Sequence, residues 1–297
     1  MTLLLLGANG QVGRELRRAL APLGEVVCTT RSGTLEDGAA CEVADFDRPD
    51  SLPALLDRLT PTVVVNAAAY TAVDKAEEDR DAAFCANAES PGALARWCAA
   101  RGVPLVHYST DYVFDGQGTA PYAVDAPTAP LGVYGASKLA GEEAVRAAGG
   151  QHLIFRTAWV YASHGKNFLL TMLRVGAQRD ELRVVADQIG TPTSAALIAD
   201  VTAQVLRQGT KASGTWHLTA AGQTSWHGFA EAIFARAVAA GLLPRAPQVV
   251  AIPTSEYPTP ARRPAYSCLD TTSLQRDFGI DLPAWETALD SVVAELK

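Results

Sequence analysis

The sequence predicts an α/β fold, a doubly wound parallel sheet followed by a smaller, mixed α/β lobe. Three observations predict it. A short apolar run, Thr2–Leu6, ends at glycine and leads into a helical pattern through Leu16, Ala19 and Leu20. Strand-like and helix-like stretches then alternate through about residue 160, the order that builds parallel strands joined by helices. Small or hydroxyl-bearing residues follow two of those strands, at the edge where open α/β sheets bind ligands.

Thr2–Leu6 is apolar throughout, the mark of a strand buried on both faces. Gly7, Gly10 and Gly13 follow at GxxGxxG spacing, with Gln11 and Val12 between the last two. Glycines here let the backbone turn sharply and approach a pyrophosphate, which the free N–H groups of the next helix would bind. The standard dinucleotide fingerprint is GxGxxG, so the context of strand, turn and helix carries the reading of a Rossmann-type domain. Glu25–Thr30 is the second strand. It ends in Thr29-Thr30-Arg31-Ser32, with no acid to hold ribose hydroxyls, and Arg31 suits a 2′-phosphate. NADPH is therefore expected in preference to NADH, with NADH still possible. As a solvated loop charge, Arg31 would carry no such meaning.

Asp45 and Phe46 precede a helix over Ser51–Leu59 and would flank the adenine. Pro61–Ala69 reads as a buried strand running into small residues. Tyr70–Glu77 starts a helical region, and a second helical stretch runs to about Ala100. Val103–Ser109 is a strand. Thr110 and Asp111 follow it, then a turn over Phe114–Gly118. Thr110 is placed to hydrogen-bond a substrate oxygen, although Ser109 and Thr110 also suit helix or turn caps. Leu153–Ala158 is the next strand, leading to Trp159. Beyond it the alternation becomes irregular. Asn167–Ala177, Ala195–Arg207 and Ser225–Ala240 read as helices, Leu182–Val185 and Thr215–Leu218 as strands, and Gln188–Thr193 and Ile252–Pro264 as loops. Pro283–Leu296 is a terminal amphipathic helix. The expected division is a dinucleotide-binding domain over 1–160 and a mainly substrate-binding lobe over 161–297, with some chain returning to the first.

The formal net charge of -7 argues against a nucleic-acid backbone as partner and does not favour an anionic membrane. No apolar run is long enough to span a bilayer. The five cysteines, Cys28, Cys41, Cys85, Cys98 and Cys268, are scattered and form no CxxC pair, which fits a reducing compartment. The start of the chain lacks the pattern of a signal peptide, so the expected location is cytoplasmic. His107, His152, His164, His217 and His227 show no metal-ligand spacing, and neither a GxSxG elbow nor a P-loop is present.

The chemistry centres on Val133–Glu142. Tyr134 and Lys138 are four residues apart, so on a helix they share a face one turn apart. An ammonium beside a phenol favours the phenolate, so the tyrosine pKa is expected to fall. Such a tyrosine exchanges a proton with a carbonyl or alcohol oxygen. The spacing alone equally suits an amphipathic surface pair.

Taken with Gly7–Gly13, Asn66–Ala69, Ser109–Asp111 and Tyr134–Lys138, the chain resembles the extended short-chain dehydrogenase/reductase family. More narrowly it resembles the dTDP-4-dehydrorhamnose reductases. Val65–Glu77, Tyr108–Phe114, Arg156–Tyr161, Asp187–Thr193 and Ala261–Pro264 carry that narrower match, which covers nearly the whole chain. The resemblance implies reduction of the C4 ketone of a dTDP-sugar substrate, dTDP-4-dehydro-L-rhamnose, by NAD(P)H. It implies that Gly10, Gln11 and Val12 hold the cofactor pyrophosphate, with Asp45, Phe46, Ala69, Tyr70 and Thr71 along the rest of the cofactor. Thr110 and Asp111 would contact the sugar and Trp159 would pack on it. Tyr134 would donate the proton, and Lys138 would bind the nicotinamide ribose and lower the Tyr134 pKa. Some members are magnesium-dependent dimers with glutamates at the subunit contact. Glu15 and Glu295 match such positions, but Ser194-Ala195-Ala196 supplies no acid. No metal site is assigned, magnesium dependence stays open, and a homodimer remains possible. Two alternatives accompany the reductase: a sugar-nucleotide epimerase or dehydratase of the same superfamily, and a non-catalytic regulatory subunit.

Overall fold

Alternate leucines of the first strand are the key to the layering. In the computed structural model, which describes residues 1–209 and 211–297, β1 (Thr2–Leu6) is an interior strand of a seven-stranded parallel sheet. Leu3 and Leu5 face one hydrophobic core, with Leu16, Leu20 and Ile198. Leu4 and Leu6 face the other, with Leu52, Leu56, Leu94 and Val145. All four are fully buried. Each such side chain removed from water contributes on the order of 2 kcal/mol, an upper figure because the unfolded chain is already partly collapsed.

The chain proceeds through α1 (Gln11–Leu20), β2 (Glu25–Thr30), the short β3 (Glu42–Val43), α2 (Leu52–Leu59) and β4 (Val63–Asn66). Then come α3 (Arg80–Phe84), a π-helical turn over Cys85–Glu89, α4 (Ser90–Arg101), β5 (Leu105–Thr110), α5 (Val133–Ala147) and β6 (His152–Thr157). After β7 (Val160–Tyr161) follow α6 (Phe168–Gly176), β8 (Glu181–Val185), β9 (Ile189–Gly190), β10 (Thr193–Ser194), α7 (Ala195–Arg207) and β11 (Gly214–His217). The chain closes with β12 (Thr224–Ser225), α8 (Trp226–Ala239), β13 (Gln248–Ile252), α9 (Thr272–Phe278) and α10 (Trp285–Ala294).

The sheet order is β3-β2-β1-β4-β5-β6-β11. Strand order reverses at β1, which opens a ligand crevice beyond the carboxyl ends of β1 and β4. Register carries the rest of the site to the same edge: Leu6 pairs with Asn66, Asn66 with His107, and Thr110 with Thr157. Residues 214–217 add the last strand beside β6, and α7 packs on α1, so part of the second half belongs to this layer. The remaining half gathers Tyr161, Leu169, Phe229, Ile233, Trp285 and Leu289 into a separate core.

Several elements differ from the sequence expectation. The strand expected over Pro61–Ala69 stops at Asn66, whose side chain accepts the Ala68 N–H at 3.1 Å and turns the chain. Helix does not begin at Tyr70; both its backbone groups bond to the Asn87 amide, and only Lys75–Glu77 forms a single helical turn. The proposed loop from Ile252 contains the end of β13, which pairs in parallel with β8. Helix α9 went unforeseen, and it ends where Gly279 takes φ +63°.

Candidate active site

Helix α5 carries the centre of the site, and three close contacts seat it. The Val133 N–H at its start donates to Glu77 Oε1 at 2.9 Å, an acidic group where the helix dipole favours one. A Cβ at Gly135 would lie 2.2 Å from the Tyr112 carbonyl oxygen, and one at Gly141 would lie 2.0 Å from that of Asn87. Only glycine permits both approaches. Tyr134 and Lys138 stand one turn apart on this helix, as the spacing required.

Lys138 is buried, and its Nζ donates to the Tyr108 carbonyl at 2.6 Å. Burial pushes its pKa down to about 8, opposed by the charge of Glu142. Tyr134 shows the opposite of the expected shift. Burial raises its phenol above the ordinary value, and the Thr110 hydroxyl, not Lys138, is the group that pulls it down. Asp111 and Tyr112 push it further up. The ammonium is committed to a backbone carbonyl, so the expectation that Lys138 acidifies Tyr134 is corrected. The Tyr134 ring also meets Tyr112 edge to face, with centroids 5.4 Å apart.

Thr110 ends β5, and its hydroxyl donates to Asp111 Oδ1 at 2.8 Å. Asp111 is 2% exposed, and burial pushes its pKa up to about 6 despite help from Ser267 and Thr110. Its Oδ2 and the Ser267 hydroxyl are near neighbours, yet neither makes a well-formed hydrogen bond. A hydroxyl, a carboxyl and a phenol thus converge at the carboxyl end of one strand.

The glycine turn lies along the same edge. Gly7 takes φ +81°, and a Cβ there would be 2.7 Å from the Ala68 nitrogen. A Cβ on Gly13 would be 2.1 Å from the Gly7 carbonyl oxygen. Gly10 is the N-cap of α1 and offers no side chain to its first N–H groups. That bare helix start, backed by glycine, fits a pyrophosphate. Gln11 accepts from Asn167 Nδ2 at 2.7 Å, which ties the turn to the start of α6. Val12 packs on the sheet core.

Beyond β2, the exposed Arg31 faces Asp47 at 3.5 Å, a carboxylate from the next loop that the local sequence did not show. Asp45 accepts the Asp47 N–H at 3.0 Å, and Phe46 is buried with its carbonyl bonded to Ser90. Ala69 and Thr71 are exposed after β4, on either side of the anchored Tyr70. Trp159 has an unusual φ of +46° and stacks on Trp226, with ring centroids 3.5 Å apart. A Cβ at Gly190 would lie 2.4 Å from the Trp159 ring, so that glycine makes room for it. Glu15 and Glu295 bond to the adjacent His164 and Ser163. Among the described residues no group of three His, Cys, Asp or Glu side chains is placed to hold a metal ion, and no helix is long and apolar enough to cross a membrane.

Sequence reasoning missed Asn87. It is fully buried on the π-helical turn and bonds Tyr70 and Ser137 together, linking the loop after β4 to α5. Its only signal was a polar residue amid alanines. It also missed Trp226 and the buried partners Asn66 and His107, joined at 3.1 Å.

Over 305 residues the chain is 50% identical to a dTDP-4-dehydrorhamnose reductase of Burkholderia thailandensis, covering 100% of this chain and 99% of that one. In structure it is similar to a dTDP-4-dehydrorhamnose reductase from Clostridium acetobutylicum, with a TM-score of 0.90, 38% identity, and coverage of 100% of this chain and 99% of that chain. It is similar also to the Bacillus anthracis dTDP-4-dehydrorhamnose reductase solved in complex with NADP, with a TM-score of 0.89, 33% identity and 99% of each chain covered. The family model described as the RmlD substrate binding domain matches residues 1–297. From a glycine-cradled helix start to the stacked tryptophans, then, the chain belongs to the RmlD substrate-binding-domain family.

Proposed function

We propose that this chain reduces the C4 ketone of dTDP-4-dehydro-L-rhamnose to dTDP-L-rhamnose, with NADPH as the reductant. The observation that carries the reading is the convergence of Tyr134, Thr110 and Lys138 at the carboxyl edge of a sheet whose first turn is shaped for a dinucleotide. Its whole-length likeness to named reductases supplies the substrate.

Gly7, Gly10, Gln11, Val12 and Gly13 would hold the cofactor pyrophosphate, Arg31 the 2′-phosphate, and Asp45, Phe46, Ala69, Tyr70 and Thr71 the remaining length. When bound, the reduced nicotinamide supplies the hydride that C4 accepts. Negative charge then grows on the ketone oxygen, and a proton from the Tyr134 hydroxyl neutralises it. Its raised pKa keeps that phenol protonated at neutral pH, the form a donor needs. Thr110 stabilises the same oxygen by donating its one hydroxyl proton to it, turning from Asp111 Oδ1 when the sugar binds. The Lys138 ammonium, held by the Tyr108 carbonyl, binds the nicotinamide ribose. Asp111 holds Thr110 in orientation and contacts the sugar. Trp159 leaves or shares its stack with Trp226 to pack on the sugar ring.

The dTDP-sugar is the partner, the cytoplasm the place of action, and a homodimer the assembly; sedimentation with and without chelator tests the last. The decisive assay supplies the dTDP-4-keto sugar with each cofactor. One NADPH oxidised per product formed is expected. Product without net oxidation would instead favour the epimerase or dehydratase reading, for which the buried acid Asp111 is the supporting feature.

A further inference from the structure

The loop over residues 162–167 leads into α6 and closes on the first turn of α1. A Cβ at Gly165, which takes φ +78°, would lie 3.1 Å from Gln11 Cγ, so the loop rests directly on the Gln11 stem. One turn further along α1, Glu15 Oε1 lies 2.9 Å from His164 Nε2. Asn167 completes the clasp. It is the N-cap of α6, and its Nδ2 donates to Gln11 Oε1 at 2.7 Å.

The partners of Asn167 leave no choice in how the two amides are turned. The Leu170 N–H, at 3.0 Å, can only donate, so the Asn167 atom facing it is the oxygen. The Ala162 and His164 carbonyls, at 2.9 and 3.0 Å, can only accept, so the atom facing them is the nitrogen. Gln11 meets that same nitrogen and must present its own oxygen. The Gln11 Nε2 group is left over, and among the described residues it donates to no protein atom. Gln11 is the first residue of α1, where the free N–H groups of the helix attract an anion. Turned this way, the Gln11 amide adds donors to that field; turned the other way, it would set an acceptor oxygen against the anion.

We infer that Asn167 is a positioning residue for the cofactor: it holds the Gln11 amide by its oxygen, so that the Nε2 group is the end offered to the pyrophosphate at the start of α1. The inference rests on the dinucleotide-binding reading of that turn. Through the cap of α6, the second half of the chain thereby sets a cofactor contact made by the first.

Capping alone does not call for asparagine. Serine caps a helix equally well, and Ser194 and Ser225 do so for α7 and α8. What asparagine adds at 167 is the donor branch, and that branch is the one that reaches Gln11.

The test is fluorescence titration of NADPH at about 0.15 M salt, where a charge out of contact with the cofactor is largely screened. Asn167→Ser keeps a capping oxygen and removes the Nδ2 donor. Its Kd for NADPH is expected to rise about 3- to 10-fold, the worth of one hydrogen bond. In a Gln11→Ala background the same change should raise Kd by less than about 2-fold, because the amide that Asn167 orients is gone. A merely structural role would weaken binding by the same factor in both backgrounds. That result overturns the inference, and so does an unchanged Kd in Asn167→Ser. Gln11→Glu probes the offered end without touching the cap. It keeps an acceptor for Asn167 and puts a carboxylate oxygen where the donors were, so its Kd should exceed that of Gln11→Ala by about 10-fold. If Asn167→Ser does not fold, Gln11→Glu decides: binding as tight as in Gln11→Ala overturns the inference. A parent chain that fails to bind NADPH overturns the dinucleotide reading itself, and this inference with it.

Discussion

Replacing Asp111 by asparagine should stabilise the protein at neutral pH while impairing it as an enzyme. The carboxyl is 2% exposed, and burial raises its pKa from 3.8 to about 6. A raised folded-state value means that the neutral acid is favoured by folding. That contribution is complete below pH 3.8 and is lost as pH rises through 6. At pH 7.5 the protein therefore bears a cost of about 3 kcal/mol for ionising this group in the fold, order of magnitude only. Asparagine keeps an oxygen for the Thr110 hydroxyl and turns an N–H₂ toward Ser267, whose own hydroxyl lacks a good partner. The expected gain is up to about 3 kcal/mol at pH 7.5, or roughly 5 °C in Tm for a chain of this length. At pH 4.5 the gain should shrink to about 1 kcal/mol, because most of the cost has gone. Thermal unfolding at the two pH values measures it. A Tm that falls at pH 7.5, or rises equally at both, would refute the reasoning. Turnover should drop at both, since the acid proposed to contact the sugar is lost; a gain in stability at the cost of activity is the usual mark of a functional group held against its preference.

Three other outcomes are expected. Tyr134→Phe should lower kcat by about 10²–10⁴-fold while fluorescence titration still shows NADPH binding; near-normal turnover would remove Tyr134 from the mechanism. Arg31→Ala should reduce the ratio of kcat/KM for NADPH over NADH and leave the NADH value nearly unchanged, because Arg31 is exposed and, among the described residues, pairs only with Asp47; an unaltered ratio would show it to be an ordinary surface charge. Gly13→Ala should abolish cofactor binding or folding, since its Cβ would sit 2.1 Å from the Gly7 carbonyl oxygen, and a variant that binds NADPH normally would contradict that packing.

Much of this protein is local physics and was therefore legible in one dimension. Four leucines ending at glycine specify a strand buried on both faces, because only a sheet covered by helices on each side conceals consecutive leucines. The one-turn spacing of Tyr134 and Lys138 and the bare start of α1 follow from helix geometry alone. The helices at 168–176, 195–207 and 226–239 matched their expected spans closely because Asn167, Ser194 and Ser225 cap them, each accepting a backbone N–H.

What the tertiary structure decided is everything that depends on residues distant along the chain. Asn87 gained its role because a π-helical turn aims it at Tyr70 and Ser137 together. Arg31 met Asp47, Trp159 met Trp226, and Glu142 met Arg156, none at a spacing that any periodicity encodes. The direction of the Tyr134 shift belongs here too. Sequence spacing placed a positive charge one turn away and suggested an acidic phenol, but a pKa depends on desolvation and on where each proton is donated. Burial and the capture of Lys138 by the Tyr108 carbonyl are properties of the packed molecule, and they reversed the sign.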